Sequence, residues 1–477
     1  MPFTEFCCRS GGSNLNAGTR TGSSTEPGTT ADLTYASGSW VASTGVFTVA
    51  SGNPSSDGVA VGDFASVYAD GSTVTGFVGR VTARDTTTIT VSLTAKAGTA
   101  PTDGTGNRTL KIGGSWAGPN AASWFPLTLA TLASLTNSSG DPPRINLKND
   151  ATYGLTTAAT VTCNGPLAIE GYTSAYGDDG RATLSGGTSG ASYTVLTFTG
   201  TNVLWKSFLF TGNGATGSGI AWWWSSATTR FFDCVFATHR GHPYFANGII
   251  EQCEFYANNI GGGTSAAGGL RMDGGTIRHT CVHDNTNDGI ANFGGPIDVV
   301  CCVIESNSRH GIHLDEGGGS GSSTRILQSD FYNNTTDGVR IANTSAATKV
   351  LENCNFVKNG GYGINGTGSG MRVGVVLNCG FGAGTQVNAS GATTGLKAIV
   401  ESGTVNYASD VTPWVDPANG DFRVSLSTAK GAGRGTFTQT AASYSGTVGY
   451  PDIGAAQHQD SGGGGVRMVN IRGGADQ

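Results

Sequence analysis

A chain of 477 residues with 77 glycines, 13% charged and 37% hydrophobic side chains is too apolar for disorder throughout, and it lacks the triplet period of collagen. A formal charge of -6 without Lys/Arg clusters gives no electrostatic footprint for nucleic acid or an anionic membrane, so neither is expected as a partner. No run reaches the apolar length of a membrane helix, and MPFTEFCCRSGG shows neither the basic start nor the apolar stretch of a secretory signal.

Residues 1–30 read as an N-terminal assembly or linker segment in which Cys7 and Cys8 are candidates for joining subunits. The runs GVFTVASG, FASVYADG, VTGFVGRVTARD and TTITVSLTAK, separated by turn residues, predict a small antiparallel β-barrel or sandwich over 31–115. AASWFPLTLATLASLTNSS at 121–139 is apolar and partly helix-compatible, with Pro126 near the start of any helix. Within a 116–144 linker it is placed as a cap over an open edge of the domain that follows.

That domain is a repeat. Cys234, Cys253, Cys281, Cys302, Ser329, Cys354 and Cys379 fall in one column at intervals of 19, 28, 21, 27, 25 and 25 residues. Two residues on, the column reads Phe236, Phe255, His283, Ile304, Phe331, Phe356 and Phe381, so both columns face a core by the period of two. Three further on stand Asn258, Asn307, Asn334 and Asn359, with His239, Thr286 and Gly384 as exceptions, which suits a bend whose stacked side chains bond to one another. Gly-apolar pairs such as Gly289-Ile290, Gly311-Ile312 and Gly338-Val339 open a second strand. A coil of at least two strands is too small to bury its own apolar face, and stacking is obligatory.

In these columns the chain resembles the right-handed parallel β-helix, or pectate-lyase-like, superfamily over roughly 145–405. The resemblance implies an all-β solenoid and is nearly silent about function, because that fold hosts many chemistries. It casts the Cys residues as small apolar fillers of the coil interior; no CxxC or CxxH spacing points to zinc, and Cys301 alone is expected to face outward. The opening TEFCCRSGGSNLNAGT also resembles environmental bacterial and phage β-helix proteins, and phage tailspikes belong to the same superfamily.

DPANGDFRVSLSTAKGAG and YPDIGAAQ resemble the closing segment of such proteins, giving a closing β segment over 406–460. SGGGG at 461–465 is a flexible linker by composition, and 461–477 ends in VRMVNIR. There Val466 and Met468 share one face and Ile471 the other, so the tail is either disordered or a strand that adds to a neighbouring subunit.

Candidate chemistry sits on the second strand. Just before Gly stand Asp288, His310, Asp337 and Tyr362; just after the apolar residue stand Arg271, His313 and Arg340; two further on stand Trp223, Asp273 and Asp315. Asp288 and Asp337 are two coils apart, as are Asp273 and Asp315, a separation of about 10 Å at one sheet spacing per coil. That is near the carboxyl separation of about 6.5–9.5 Å in inverting glycosidases, which makes the four aspartates candidate acids and bases. Arg271, His310, His313, Arg340, Tyr362 and Trp223 are candidate sugar contacts; in GIAWWWSSA, Trp222 points inward and Trp224 inward or to a bend. The competing reading is a solvated sheet face with charges alternating to avoid like-charge columns. No cofactor is required, although Asp315 and Glu316 before a flexible insertion are candidate Ca2+ ligands outside any EF-hand pattern. No pectate-lyase signature surrounds these residues, and no phosphate-binding loop, HExxH or nucleophile elbow occurs.

Three functions follow. One is an extracellular or virion structural protein, tailspike-like or fibre-like, whose solenoid displays a face for a polysaccharide or cell-surface glycan. A second is a polysaccharide depolymerase, hydrolase or lyase. A third is a self-assembling filament or adhesin joined through Cys7, Cys8 and the C-terminal strand. A homo-oligomer is expected, a trimer for the first by family resemblance or a filament for the third, whereas a compact monomer would favour the second.

Overall fold

The computed structural model describes residues 4–10, 12–13, 16–18, 27–72, 77–117, 141–154, 159–186, 196–213, 220–224, 229–259, 268–315, 323–342, 348–366, 373–382, 387–388, 398–402, 404–408, 411–419 and 421–429. The expected cap at 121–139, Glu316, the Trp223 side chain and the tail residues Val466, Met468 and Ile471 lie outside them. The chain forms two compact units, one largely before Val235 and one largely from Val235 on.

In the first unit, antiparallel strands in the order Leu33–Val41, Val46–Thr48, Thr88–Gly98, Phe77–Arg84, Phe64–Ala69 and Gly104–Ile112 close into a barrel. Closure leaves no open sheet edge, and Trp40, Phe47, Phe77, Ile89 and Leu110 fill the interior. This is the small β module expected over 31–115, resolved as a barrel. The same unit holds parallel strands: Thr4–Arg9 pairs with Trp116–Ala117 and Pro143–Lys148, the latter with Ala159–Tyr172, and that with Leu196–Lys206. Cys7 and Cys8 therefore do not fit the assembly role. Both are fully buried in Thr4–Arg9, and Cys7 Sγ lies 3.1 Å from the Tyr172 hydroxyl.

The second unit is a parallel β-solenoid with three strands per coil, where the sequence pattern requires at least two. Ile297–Val300, Val303–Glu305 and Ile312–Leu314 make one coil, and each pairs in parallel with its counterpart in the next, Thr324–Leu327, Asp330–Tyr332 and Val339–Ile341. Register confirms the Phe column for Phe236, Phe255, Phe331, Phe356 and Phe381 but moves one coil by a residue: Phe255 pairs with Val282, and Val282 with Ile304. Thr280, Val282 and Asn285 thus hold the places assigned to Cys281, His283 and Thr286. A slip of one residue exchanges the two faces of a strand, so His283 faces outward.

The Cys column sits at the corner between two sheets, and its side chains do more than fill space. Cys302 Sγ donates to the Val300 carbonyl at 3.3 Å, Cys354 Sγ to Glu352 at 3.3 Å, Thr280 Oγ1 to Arg278 at 2.9 Å and Ser329 Oγ to Leu327 at 2.9 Å. A small donor that reaches the carbonyl two residues back is what Cys, Ser and Thr share. The residue before each is left-handed: Gln252, His279, Cys301, Gln328, Asn353 and Asn378 have φ between 46° and 55°. Cys301, expected to face outward, occupies this corner and is buried there, its Sγ 3.7 Å from Gln328 Oε1.

At the next bend the Asn side chains form a continuous ladder. Asn285 Nδ2 donates to Asn307 Oδ1, Asn307 Nδ2 to Asn334 Oδ1 and Asn334 Nδ2 to Asn359 Oδ1, each at 2.9 Å. The other amide proton of Asn307 goes to the Val282 carbonyl and that of Asn334 to Ile304. The glycines that follow are required by close backbone approach: a Cβ on Gly311 would lie 2.6 Å from the Gly338 carbonyl, and one on Gly338 would lie 2.7 Å from that of Gly363. Stacked rings line the interior, with Phe236 and Phe255 at 4.6 Å and Phe331 and Phe356 at 4.7 Å between centroids, one sheet spacing apart.

The closing segment contributes an antiparallel pair, Trp414–Asp416 with Asp421–Val424. Trp414, Phe422 and Val424 pack with Cys281, Val303, Tyr332 and Val357, covering apolar side chains that face away from the coil interior. Removing one rung of the Asn ladder leaves several buried groups unpaired, so Asn307→Ala is expected to lower stability by about 3 kcal/mol, read as a shift in the urea unfolding midpoint.

Candidate functional site

Parallel pairing along the Gly-apolar strand places Arg271, Ala291, His313, Arg340 and Asn365 in one outward column, as the Gly-apolar alignment predicts, and adds Tyr244, which that alignment does not include. Their neighbours Leu270, Ile290, Ile312, Val339 and Ile364 are buried. The alternation of each short strand is therefore what presents the polar column.

One end of the column is a self-neutralised platform. Arg271 grips Asp273 through two contacts of 2.7 and 3.2 Å and lies over the rings of Tyr244 at 4.9 Å and Phe293 at 5.2 Å. Asp273 also accepts from the Tyr244 hydroxyl at 3.0 Å and the Phe293 N–H at 3.1 Å. Charge, stacking and main chain together fix this guanidinium plane. Beside it His242 is buried with no partner on either ring nitrogen; burial, then Arg271, push its pKa down to about 4, so the ring is neutral.

The other end carries two carboxylate–imidazole pairs. Asp288 Oδ2 lies 3.1 Å from His313 Nδ1 and 3.4 Å from Arg309, while Asp288 Oδ1 accepts from the His310 N–H at 3.2 Å. A carboxylate oxygen accepts, so this contact puts a proton on His313 Nδ1, and in the neutral ring Nε2, which has no partner, then carries the lone pair. Asp337 Oδ2 lies 3.1 Å from His310 Nδ1 and accepts from Asn365 Nδ2 at 2.9 Å, and Asp337 Oδ1 accepts from the Tyr362 N–H at 2.9 Å. Burial works against the Asp337 anion, but these bonds outweigh it and hold its carboxyl below the usual range.

The two-coil spacing of Asp288 and Asp337 stands: the Gly289 N–H bonds the His310 carbonyl and the Gly311 N–H that of Asp337. Their expected exposure does not, because both side chains are buried beneath the face. Asp337, kept ionised and surrounded by donors, is poorly suited to act as a general acid. Asp315 is half-buried, its N–H on the Asn292 carbonyl, and Tyr362 is exposed. Trp222 and Trp224 are fully buried. Among the described residues no group of three or more His, Cys, Asp or Glu is arranged to hold a metal ion.

A second polar cluster escapes the sequence pattern because of the one-residue slip. His283 Nε2 lies 3.0 Å from Glu254 and Nδ1 2.8 Å from Asp284, and the ring stacks on Tyr256 at 5.4 Å. Correct placement of Thr280 in the corner column is the signal that would have found it.

Residues 232–379 match the family model described as the right handed beta helix region. That match and the three parallel strands per coil identify this segment as a right-handed parallel β-helix. No curated protein matches the sequence. Among solved structures, the periplasmic alginate epimerase AlgG is similar at 11% identity over 56% of this chain and 77% of its own, with a TM-score of 0.34. Pectate lyase Pel9A is similar at 17% identity over 67% and 88%, with a TM-score of 0.30, and the Dettilon tailspike protein at 13% over 57% and 62%, with 0.38. At such identities function has to be argued from the residues themselves.

Burial opposes the charge on His283, but Asp284 and Glu254 outweigh it and lift its pKa to about 9. A raised value stabilises the fold fully below about 6.5 and ceases to do so as pH rises through about 9. Wild type is therefore expected to lose more stability than His283→Gln between pH 7 and pH 10 in urea unfolding; parallel curves would refute the pairing.

Proposed function

We propose that this protein binds an anionic polysaccharide along the outward column from Tyr244 to Asn365. The observation that carries the reading is the guanidinium of Arg340. It stands between His313 and Asn365 in the polar column, and among the described residues no carboxylate lies within ion-pair distance of it. A half-buried cation with unfilled donors is a seat for a sugar carboxylate, which Arg engages through paired hydrogen bonds. Tyr244, Phe293 and Tyr362 supply ring surface along the same face for apolar sugar faces. Polymers of that kind lie on cell surfaces, so the protein works outside the cell or on a virion, as a spike-like or fibre-like component. A homo-oligomer, a trimer foremost, is the assembly this role calls for, without any part for Cys7 or Cys8.

A depolymerase is the second reading, and the His313–Asp288 pair is the observation that favours it. A buried carboxylate orients the ring, and the unpartnered Nε2 is then the group that takes a proton from substrate or water. His313 replaces the aspartates as the base, with Asp288 positioning it.

On an array of acidic and neutral glycans, wild type is expected to select acidic chains, and Arg340→Ala to weaken that binding at least about tenfold, the loss of one charge-assisted hydrogen-bonding group. Equal binding by the variant would remove Arg340 and this reading with it. If the bound chain is cleaved, His313→Gln is expected to abolish cleavage while keeping affinity within about threefold, read by reducing ends against titration.

A further inference from the structure

Between Asp337 and Arg340 stands one residue that touches both. His310 is buried, its Nδ1 faces Asp337 Oδ2 at 3.1 Å and the Thr336 hydroxyl at 2.7 Å, and its Nε2 faces Arg340 Nη1 at 3.2 Å. A guanidinium has donors and no acceptor, so the Nε2 contact requires a lone pair there and the ring proton on Nδ1. The Asp337 N–H also donates to Nδ1, at 3.3 Å, and calls for a lone pair there; the shorter contacts of Nδ1 with the Asp337 carboxylate and of Nε2 with the guanidinium favour the Nδ1–H ring. The result is a relay from carboxylate through neutral imidazole to cation.

We propose that His310 is a positioning residue: its Nε2 holds Arg340 in the binding face, and protonation of the ring releases the guanidinium, so the face loses its grip on anionic sugar in acid. This rests on the reading of Arg340 as the sugar-carboxylate seat. The charged and titratable groups around the ring are Asp337, Asp288, Arg309, Arg340 and His313. Burial holds His310 below the ordinary histidine value against the pull of Asp337 and Asp288, which keeps it neutral at neutral pH. Once protonated, Nε2 carries a hydrogen that points at a donor, and two cations face each other across a hydrogen-bond distance. Asp337 stays ionised through this range, so the change belongs to the ring.

The test has one arm without ligand. In long-range proton–nitrogen correlation spectra, with His310→Gln used for assignment, the neutral His310 ring is expected as the Nδ1–H tautomer. Its titration midpoint is expected below about 6.5 and to rise by at least about half a unit in Arg340→Gln, because a neighbouring cation is gone. An Nε2–H tautomer, or a midpoint indifferent to Arg340, overturns the relay.

The second arm uses an acidic glycan from the array. Wild-type affinity is expected to fall at least fivefold between pH 7.5 and pH 5. In His310→Gln, whose amide oxygen accepts from Arg340 but does not titrate, the expected fall is under twofold. Both proteins share every other group of the face, so the difference isolates His310, and superimposable profiles overturn the proposal. Absence of acidic-glycan binding by wild type at any pH defeats the binding reading itself, and the positioning claim is then decided by the tautomer and midpoint alone.

Discussion

Everything in the solenoid depends on hydrogen bonding from one coil to the next. A single coil buries little, and its backbone groups find partners only in neighbours one sheet spacing away. That spacing makes every position a column, and a column is stable only if identical side chains can serve one another. The Asn ladder does so because an amide carries both donor and acceptor, and the Phe stack does so because flat rings fit the spacing.

The same constraint produces the polar face. Residues held at register cannot turn away from their neighbours in the stack, so a carboxylate in one coil meets an imidazole in the next. Asp288 meets His313, and Asp337 meets His310 from the opposite direction along the stack. Two histidines in one coil, three residues apart, thereby acquire different duties: His313 is left with an unpartnered nitrogen, and His310 is tied at both ends. Arg271 and Arg340 diverge likewise, one saturated by Asp273 and the other held by a neutral ring.

Much of this was legible in the sequence. A period of two identifies which side chains face outward, and the column through Arg271, His313 and Arg340 follows from the Gly-apolar pairs alone. Burial of Asp288 and Asp337 does not follow, because alternation says which way a residue starts and not how far its neighbours cover it. The slip at Cys281 has a chemical cause. Cysteine looks like the signature of the column, but the corner selects any small donor, and Thr280 satisfies it while Cys281 faces the strap of Trp414 and Phe422. The strand Thr4–Arg9 was missed because its partners lie more than a hundred residues away.

The corners and the Asn bends recur with little change, while most of the chain-length differences between coils fall after the polar strand, as between Leu314 and Thr324 or Ile341 and Lys349. Lengthening or exchanging those connections leaves the ladder, the ring stack and the corner bonds intact. The solenoid thus separates what must be uniform from what is free to vary, and much of that freedom in chain length follows the polar strand. New recognition properties can arise there by insertion or replacement of a single connection, with no renegotiation of the core.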